Sequence, residues 1–574
     1  MKTPMVSHFV LLFTSLCSCG TILPAMAESQ TKVPGYEPQV FFYDDGRHTG
    51  PLYQFAPPLT PEDFVYSVDQ LVGSGVDTLI FSAGLEGGVV QYDSQFAQKW
   101  GDNVDVWTHE IFYRASRNLQ QIIRDGHDPL KLICDRCHQT GLWFIATLPV
   151  CITGSDRTKH HGLGRTSDFA YRTELQVGED DHPKAKIIGR FFKEKRLNFV
   201  HPEVRRERFL LFEELLTRYE SDGIELDLSI DNEFGPFCRF SEIETMAPLL
   251  TNWIRDLRQA ADKAEKVQGR RKRIFVRIPA AAPDVWKSVG FEVSTWIEQG
   301  LVDGLICLTT NRIPANAMLD HDLDIRAAVA ATEGTHCRVL AGGEVYLGSS
   351  LHQEAIPSMI WAAASNAYDR GADGFGLCSG MWAPDGWPWP DTQYQTLRLL
   401  ASPFLLSNAD KTYRALSSSR SQPTGLFRPT GTILPTPVAE GESVQVRLRV
   451  SDNLEQRQQE GKIESVRLQV QLSNFETGLN TARVELNGKV LPESILEPSD
   501  LHFRVIKNGI AGPYGYMLDF QLTPEFYPVQ GENQVKVTLV NRDPKLNMIV
   551  QVHDINCSIK YRIHRHVQEV PLDY

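Results

Sequence analysis

Short, nearly unbroken apolar runs alternate with amphipathic stretches through the first two thirds of the chain. Gln39-Val-Phe-Phe-Tyr43, Asp77-Thr-Leu-Ile-Phe81, Gly141-Leu-Trp-Phe-Ile-Ala146 and the run that begins at Gly223 each read as a strand. Ile274-Phe-Val-Arg-Ile278, Gly304-Leu-Ile-Cys-Leu308, Arg338-Val-Leu-Ala341 and Gly374-Phe-Gly-Leu-Cys378 continue the series. After the first, each strand is led into by helical sequence. Thr60 caps one helix with Pro61 at its first position, closing near Gly73, and Pro129 to Gln139 forms another. His201-Pro-Glu-Val204 opens a third, with Val204, Leu211, Leu215 and Tyr219 at helical spacing, and Ser241-Glu-Ile-Glu244 is a capping-box pattern for a fourth. Strands apolar on both faces belong to parallel sheets covered by helices. Eight such units over about 380 residues predict an α/β fold, a (β/α)8 TIM barrel. An open doubly wound sheet is the competing arrangement, weakened because no G-x-G-x-x-G follows the first strand.

The pattern changes near residue 415. Ser417-Ser-Ser-Arg-Ser-Gln-Pro423 reads as a linker, and period-two strands follow. They are Val444 to Val450, Val466 to Leu472, Ala482 to Leu486, Leu501 to Ile506, Tyr516 to Leu522, Gln534 to Val540, Met548 to Val552 and Cys557 to Tyr561. Asn487-Gly488 is a hairpin turn signal. The expectation is a barrel over 28–415, a linker over 416–430, a C-terminal antiparallel β-sandwich over 431–565 and a tail over 566–574.

Composition narrows the function without naming it. The 574 residues are 42% hydrophobic and 22% charged, ordinary for a globular protein. A formal charge of −13 and a pI near 5.7 argue against nucleic acid as partner. Lys2, the apolar run Val6 to Leu23 and Ala25-Met-Ala27 predict a cleaved signal peptide over 1–27, hence export to the periplasm, cell surface or medium. Leu16-Cys-Ser-Cys19 loosely resembles a lipoprotein box, so a lipid anchor at Cys19 is the less favoured route, and no transmembrane span is expected. Eight cysteines follow Ala27, too few for a disulfide-built scaffold, and Cys307 and Cys378 lie in apolar runs as buried thiols.

One strand stands out chemically. Tyr219-Glu-Ser-Asp-Gly-Ile-Glu-Leu-Asp-Leu-Ser-Ile-Asp-Asn-Glu233 places Glu225 and Asp227 in an apolar strand, with Asp231 and Glu233 beyond. A buried carboxylate is costly unless paired or facing a polar cavity. Strand alternation turns Glu225 and Asp227 the same way, into the barrel if they are catalytic. Active sites of such barrels lie at the C-terminal strand ends. Those ends carry Asp44 and Asp45, Ser82, Thr147, the strand-four acids, Arg277, Thr309, Glu344 and Ser379. Paired carboxylates across a cleft are the equipment of glycoside hydrolysis. Catalytic candidates are therefore Glu344 with Asp227, Glu225 or Glu233; Asp222 is read as a structural acceptor at the turn before Gly223.

Asp44, Asp45, Asp156, His160, His161 and Arg277 are candidate substrate-binding groups, and Trp382, Trp387 and Trp389 a candidate stacking platform. Adjacent histidines without a spaced third ligand give no metal site. Cys134-Asp-Arg-Cys-His138 matches the haem-attachment spacing, but it lies in a helix the barrel needs, and no cofactor is predicted. A non-catalytic carbohydrate-binding surface protein is the alternative to a hydrolase, with the tryptophans doing the binding.

His201-Pro-Glu-Val-Arg205, the helix to Tyr219, Asp222-Gly-Ile-Glu-Leu-Asp227 and Gly371-Ala-Asp-Gly374 together resemble the glycoside-hydrolase-like, "family 10-like" barrel proteins of environmental bacteria. The resemblance spans roughly residues 39–400. It implies a secreted protein acting on polysaccharide with carboxylates at strand ends. Asn232-Glu233 is also similar to the Asn-Glu pair of retaining barrel glycosidases, whose second Glu ends strand seven. The D-x-x-D-x-D-x-E pattern of chitinase-like barrels is broken, with Ser229 where an acid would fall.

Overall fold

The structure is a computed structural model that describes residues 37, 39–47, 50–154, 158–188, 195–230, 233–309, 312–313, 316–347, 353–378, 391–417, 431–499 and 515–562. Eight parallel strands close into a ring: β1 Val40–Asp44, β2 Thr78–Ser82, β3 Trp143–Pro149, β4 Gly223–Asp227, β5 Arg273–Pro279, β6 Gly304–Leu308, β7 Arg338–Gly343 and β8 Gly374–Leu377. Each pairs with the next, and β8 returns to β1. The TIM barrel expected from the apolar runs is the observed fold.

Helices cover the ring: α1 Glu110–Arg124, α2 Pro129–Gln139, α3 Pro202–Thr217, α4 Ile243–Gln268, α5 Arg326–Thr332, α6 Pro357–Asp369 and α7 Asp391–Leu400, besides shorter pieces. Thr60 caps as expected, its Oγ accepting the Asp63 N–H, yet the helix breaks into Pro61–Phe64 and Tyr66–Asp69. α1 lies in the long stretch between Leu85 and Asp128, to which the sequence assigned no element. It buries Ala115, Asn118, Leu119 and Ile122, a stripe diluted by polar residues.

The barrel's inside face follows from one contact. The Arg277 guanidinium on β5 lies 4.5 Å from the ring centroid of Tyr43 on β1, diametrically across the ring. Register and alternation then turn Thr147, Glu225, Asp227 and Phe275 inward, with Phe41 and Gly376 on the far wall. A Cβ at Gly376 would stand 2.4 Å from the Phe41 ring, so glycine lets that phenylalanine fill the interior. At the N-terminal end the Arg273 guanidinium lies 4.1 Å over Trp143 and pairs with Glu37 at 2.7 Å, plugging the floor.

A device recurs at that floor. Asp77, Asp222, Asp303 and Asp373 immediately precede β2, β4, β6 and β8. Each carboxylate accepts a backbone N–H from the start of the preceding odd strand: Val40 at 3.0 Å, Phe144 at 2.9 Å, Ile274 at 2.9 Å and Val339 at 2.8 Å. Each aspartate's own N–H donates back to the same strand. Asp222 thus has the structural part expected of it, shared with Arg270 at 2.9 Å.

The C-terminal unit is a two-sheet antiparallel sandwich. Its strands are β9 Lys411–Arg414, β10 Ser443–Val450, β11 Ile463–Ser473, β12 Thr481–Leu486, β13 Lys489–Val490, β14 Leu496–Ser499, β15 Gly515–Leu522, β16 Gly531–Asn541 and β17 Gln551–Tyr561. One sheet runs β9-β17-β11-β15-β14, the other β10-β16-β12-β13. The Asn487-Gly488 turn is present, both residues at positive φ.

Two expectations are corrected. The sheet reaches upstream of residue 415, because β9 pairs with β17 and belongs to the sandwich. The two strands expected over Met548 to Tyr561 are one, β17. Asp554 interrupts the apolar alternation but lies buried in an ion pair with Arg414. The expected strand at Leu501 to Ile506, most of the linker, the signal segment and the tail beyond residue 562 lie outside the described residues. Barrel and sandwich meet along α6: Ala362 packs in the sandwich core, Arg449 pairs with Asp369, and Asp322 is shared by Arg370 and Arg447.

Candidate functional site

The C-terminal end of the barrel holds a connected set of buried charges. Arg277 grips Glu225 with two parallel contacts, Nε to Oε1 at 2.7 Å and Nη2 to Oε2 at 2.9 Å. Glu225 is fully buried. Burial drives its carboxyl above the ordinary carboxylate range, against the pull of Arg277. Burial also works against the charge of Arg277, but Glu225 and then Asp227 outweigh it, holding the guanidinium firmly protonated.

Asp227 is differently placed. Its Oδ1 accepts the Ser229 N–H at 2.9 Å and the Ser229 hydroxyl at 2.7 Å, while Oδ2 stands 3.9 Å from Arg277. Its side chain keeps 14% exposure, against none for Glu225. Ser229, which breaks the chitinase-like acid spacing, here holds the last carboxylate of β4. Of the two inward acids, Glu225 is committed to an internal pair and Asp227 faces the mouth.

A second charged group adjoins the first through Tyr43, whose hydroxyl burial raises well above its ordinary range. Asp45 lies 3.4 Å from Arg47, Arg47 lies 3.7 Å from Glu86, and Glu86 pairs with Arg165 at 2.6 Å. Burial raises the Glu86 carboxyl, but Arg47 and then Arg165 outweigh it and hold it low. Asp44 alternates away from the mouth and spends Oδ1 on the Gly46 N–H at 2.7 Å, building the turn.

Glu344 follows β7 and is buried. A Cβ at Gly342 would meet the side chains of Leu308 and Cys378, so alternation carried past Gly342 turns Glu344 toward the mouth. Glu233 lies past β4 in a two-residue hairpin with Ser229–Ile230, off the barrel strand. His160 and His161 lie on the loop after β3, beside the loop after β2. Asp156, Ser379, Trp382, Trp387 and Trp389 are outside the described residues. Cys134 and Cys137 are buried in α2, and His138 faces Asp222 at 3.1 Å. All eight cysteines after residue 27 are buried, and none is in a disulfide.

The sequence reading missed Arg47, Glu86 and Arg165, which stand in irregular loops with no periodicity to assign them a face. It also missed Asp320, whose Oδ2 accepts the Thr309 hydroxyl at 3.1 Å just past β6. Among the described residues no cluster of three metal-ligating side chains is found, and no helix is long and apolar enough to cross a membrane. A groove of ≈ 510 Å³ lies between α3 and α4 on the outer wall, lined by Arg206, Phe209 and Lys263, away from the strand ends.

No family model matches the chain, and no curated protein matches it. Among solved structures it is similar to the glycoside hydrolase domain of PgaB (BpsB) from Bordetella bronchiseptica, at 14% identity over 64% of this chain and 99% of that one, TM-score 0.39. It is also similar to a glycoside hydrolase family 18 N-acetylglucosaminidase from Paenibacillus barengoltzii, at 11% identity over 63% of this chain and 99% of that one, TM-score 0.32. A chitinase from Chromobacterium violaceum matches at 9% identity over 63% of this chain and 98% of that one, TM-score 0.34. At these scores they are loose likenesses of architecture and carry no weight in assigning chemistry.

Proposed function

We propose that the protein is an exported glycoside hydrolase acting on a poly- or oligosaccharide at the barrel mouth. The observation that carries this reading is the division of labour on β4. Glu225 and Arg277 neutralise each other inside the ring, and Asp227 is left at the mouth, fixed by Ser229 and beside a permanent cation. A carboxylate so held is placed to attack a sugar carbon or activate water. Glu344, three strands round the ring, supplies the proton to the leaving oxygen. Tyr43, Asp45 and Arg47 border the same opening with groups that hydrogen-bond sugar hydroxyls. Export rests on the Lys2, apolar-run and Ala-x-Ala pattern of the first 27 residues.

The test is release of reducing ends from a panel of polysaccharides by wild type, Asp227→Asn and Glu344→Gln. Each variant is expected to lose at least about a thousandfold in kcat, the scale of a lost acid or base, with an unaltered unfolding midpoint. Full activity in either variant removes that residue from the pair.

A further inference from the structure

The loops after β2 and β3 meet beside the mouth in a short parallel pairing, Val106–Trp107 with His161–Gly162. The Val106 N–H donates to the His160 carbonyl at 2.9 Å, and the Thr108 N–H to the Gly162 carbonyl at 3.2 Å. This holds Trp107, half-buried, next to Tyr113, with ring centroids 5.9 Å apart and planes tilted by 46°. Tyr113 is 45% exposed and Val106 51%. Single exposed apolar side chains are ordinary, but an exposed tyrosine ring set against a fixed indole forms an aromatic surface that favours a ligand.

The indole has a purpose-built seat. A Cβ at Gly164 would lie 2.6 Å from its ring, and one at Gly101 2.8 Å. Both glycines adopt φ in the left-handed region, +70° and +91°, which other residues occupy only with strain. The backbone at both glycines therefore closes directly against the edge of the ring. Polar groups stand round it. The Arg117 guanidinium lies 5.6 Å over Tyr113, and His160 pairs with Asp105 at 3.0 Å, both well exposed.

A chain of side-chain contacts links the shelf to the strand ends. The Arg165 guanidinium lies 5.7 Å over the ring of Phe112, one residue before Tyr113. Arg165 then pairs with Glu86, and Glu86 neighbours Arg47 at the strand ends.

We infer that Trp107 and Tyr113 form a sugar-binding subsite outside the catalytic mouth, on which one ring of an extended glycan chain stacks while the chain runs inward to Asp227. A rigid aromatic face offers the apolar side of a pyranose a large contact, and flanking His, Asp and Arg groups meet its hydroxyls. The inference rests on the hydrolase reading for what lies at the inner end. It deepens that reading by making the substrate class a chain of several sugars.

The experiment uses the full-length Asp227→Asn protein, which cannot consume its ligand, in affinity gel electrophoresis through a panel of soluble polysaccharides. Retardation by at least one is expected. Adding Trp107→Ala should raise the dissociation constant about tenfold, about 1.4 kcal/mol, while Trp107→Phe retains most of the binding. Thermal unfolding of each variant separates loss of the ring from loss of the fold. Equal retardation of parent and Trp107→Ala, or no retardation of the parent by any polysaccharide, overturns the subsite. If retardation depends on Trp107 but wild type releases no sugar, the subsite stands and the hydrolase reading falls. If wild type hydrolyses glycans with Trp107→Ala bound as tightly as the parent, the reverse holds.

Discussion

Asp320 and His321 sit side by side in the loop after β6 and are perturbed in opposite ways. Burial, and then the charge of Asp322, lifts the Asp320 carboxyl from 3.8 to about 6. Burial, and then Arg414, depresses the His321 imidazole from 6.5 to about 3. Both ring nitrogens of His321 lack a hydrogen-bond partner among the described residues. Folded Asp320 holds its proton more tightly than the unfolded chain does, so its stabilisation is full below about pH 4 and is lost as pH rises through about 6. Folded His321 holds its proton less tightly, so its contribution is full above about pH 6.5 and declines as pH falls toward 3. The two slopes oppose each other across about pH 4–6. Asp320→Asn should steepen acid destabilisation by about 2–3 kcal/mol over that window, and His321→Leu should reverse the slope. Urea midpoints at about pH 4.5 and pH 7 for parent and both variants decide it, and parallel slopes in all three would sink the assignment. None of this was legible in the sequence, because an Asp-His-Asp string in a loop carries no spacing that fixes its surroundings. Glu225 and Asp227 were legible, since two acids in an apolar strand need a reason. Their separation into one internal and one open carboxylate was not, because it depends on Arg277 reaching Glu225 from the next strand.

Among the elements, the eight barrel strands could be read because strands buried on both faces leave unbroken apolar runs. The sandwich was readable from alternation, and failed at Asp554, where a buried ion pair imitates a surface position. The four aspartates beneath the barrel were individually ordinary turn residues. Their common part emerges only when each is set against the strand before its own. A carboxylate accepting a buried backbone N–H contributes about 1.5–3 kcal/mol. Asp373→Ala should cost that much in urea unfolding and should raise amide exchange at Val339 above that of Leu340 on the same strand. Unchanged protection at Val339 would show that the clasp contributes nothing.

For the whole molecule, barrel and sandwich are joined by side chains as well as by the chain. Asp322 serves Arg370 of the barrel, which is almost wholly buried, and Arg447 of the sandwich at once. Removing it leaves Arg370 without its carboxylate partner, a loss of about 3–5 kcal/mol for a buried pair. Asp322→Ala is therefore expected to split a single calorimetric transition into two, as the sandwich stops sharing the fate of the barrel. One cooperative transition at a lower temperature would mean that the remaining contacts along α6, the Arg449–Asp369 pair among them, suffice to couple them.

The aspartate clasps also give the ring a rhythm that its eight similar strands conceal. Each binds an odd strand to the even one after it. The residues before the odd strands are Gln39, Leu142, Lys272 and Cys337, none of them a carboxylate. The circle is thus four riveted couples set edge to edge, and the β4–β5 seam between two of them is bridged instead by the Glu225–Arg277 pair. A couple of two strands and two helices is the smallest piece that carries its own rivet, and so the natural unit in which such a barrel could be duplicated or exchanged.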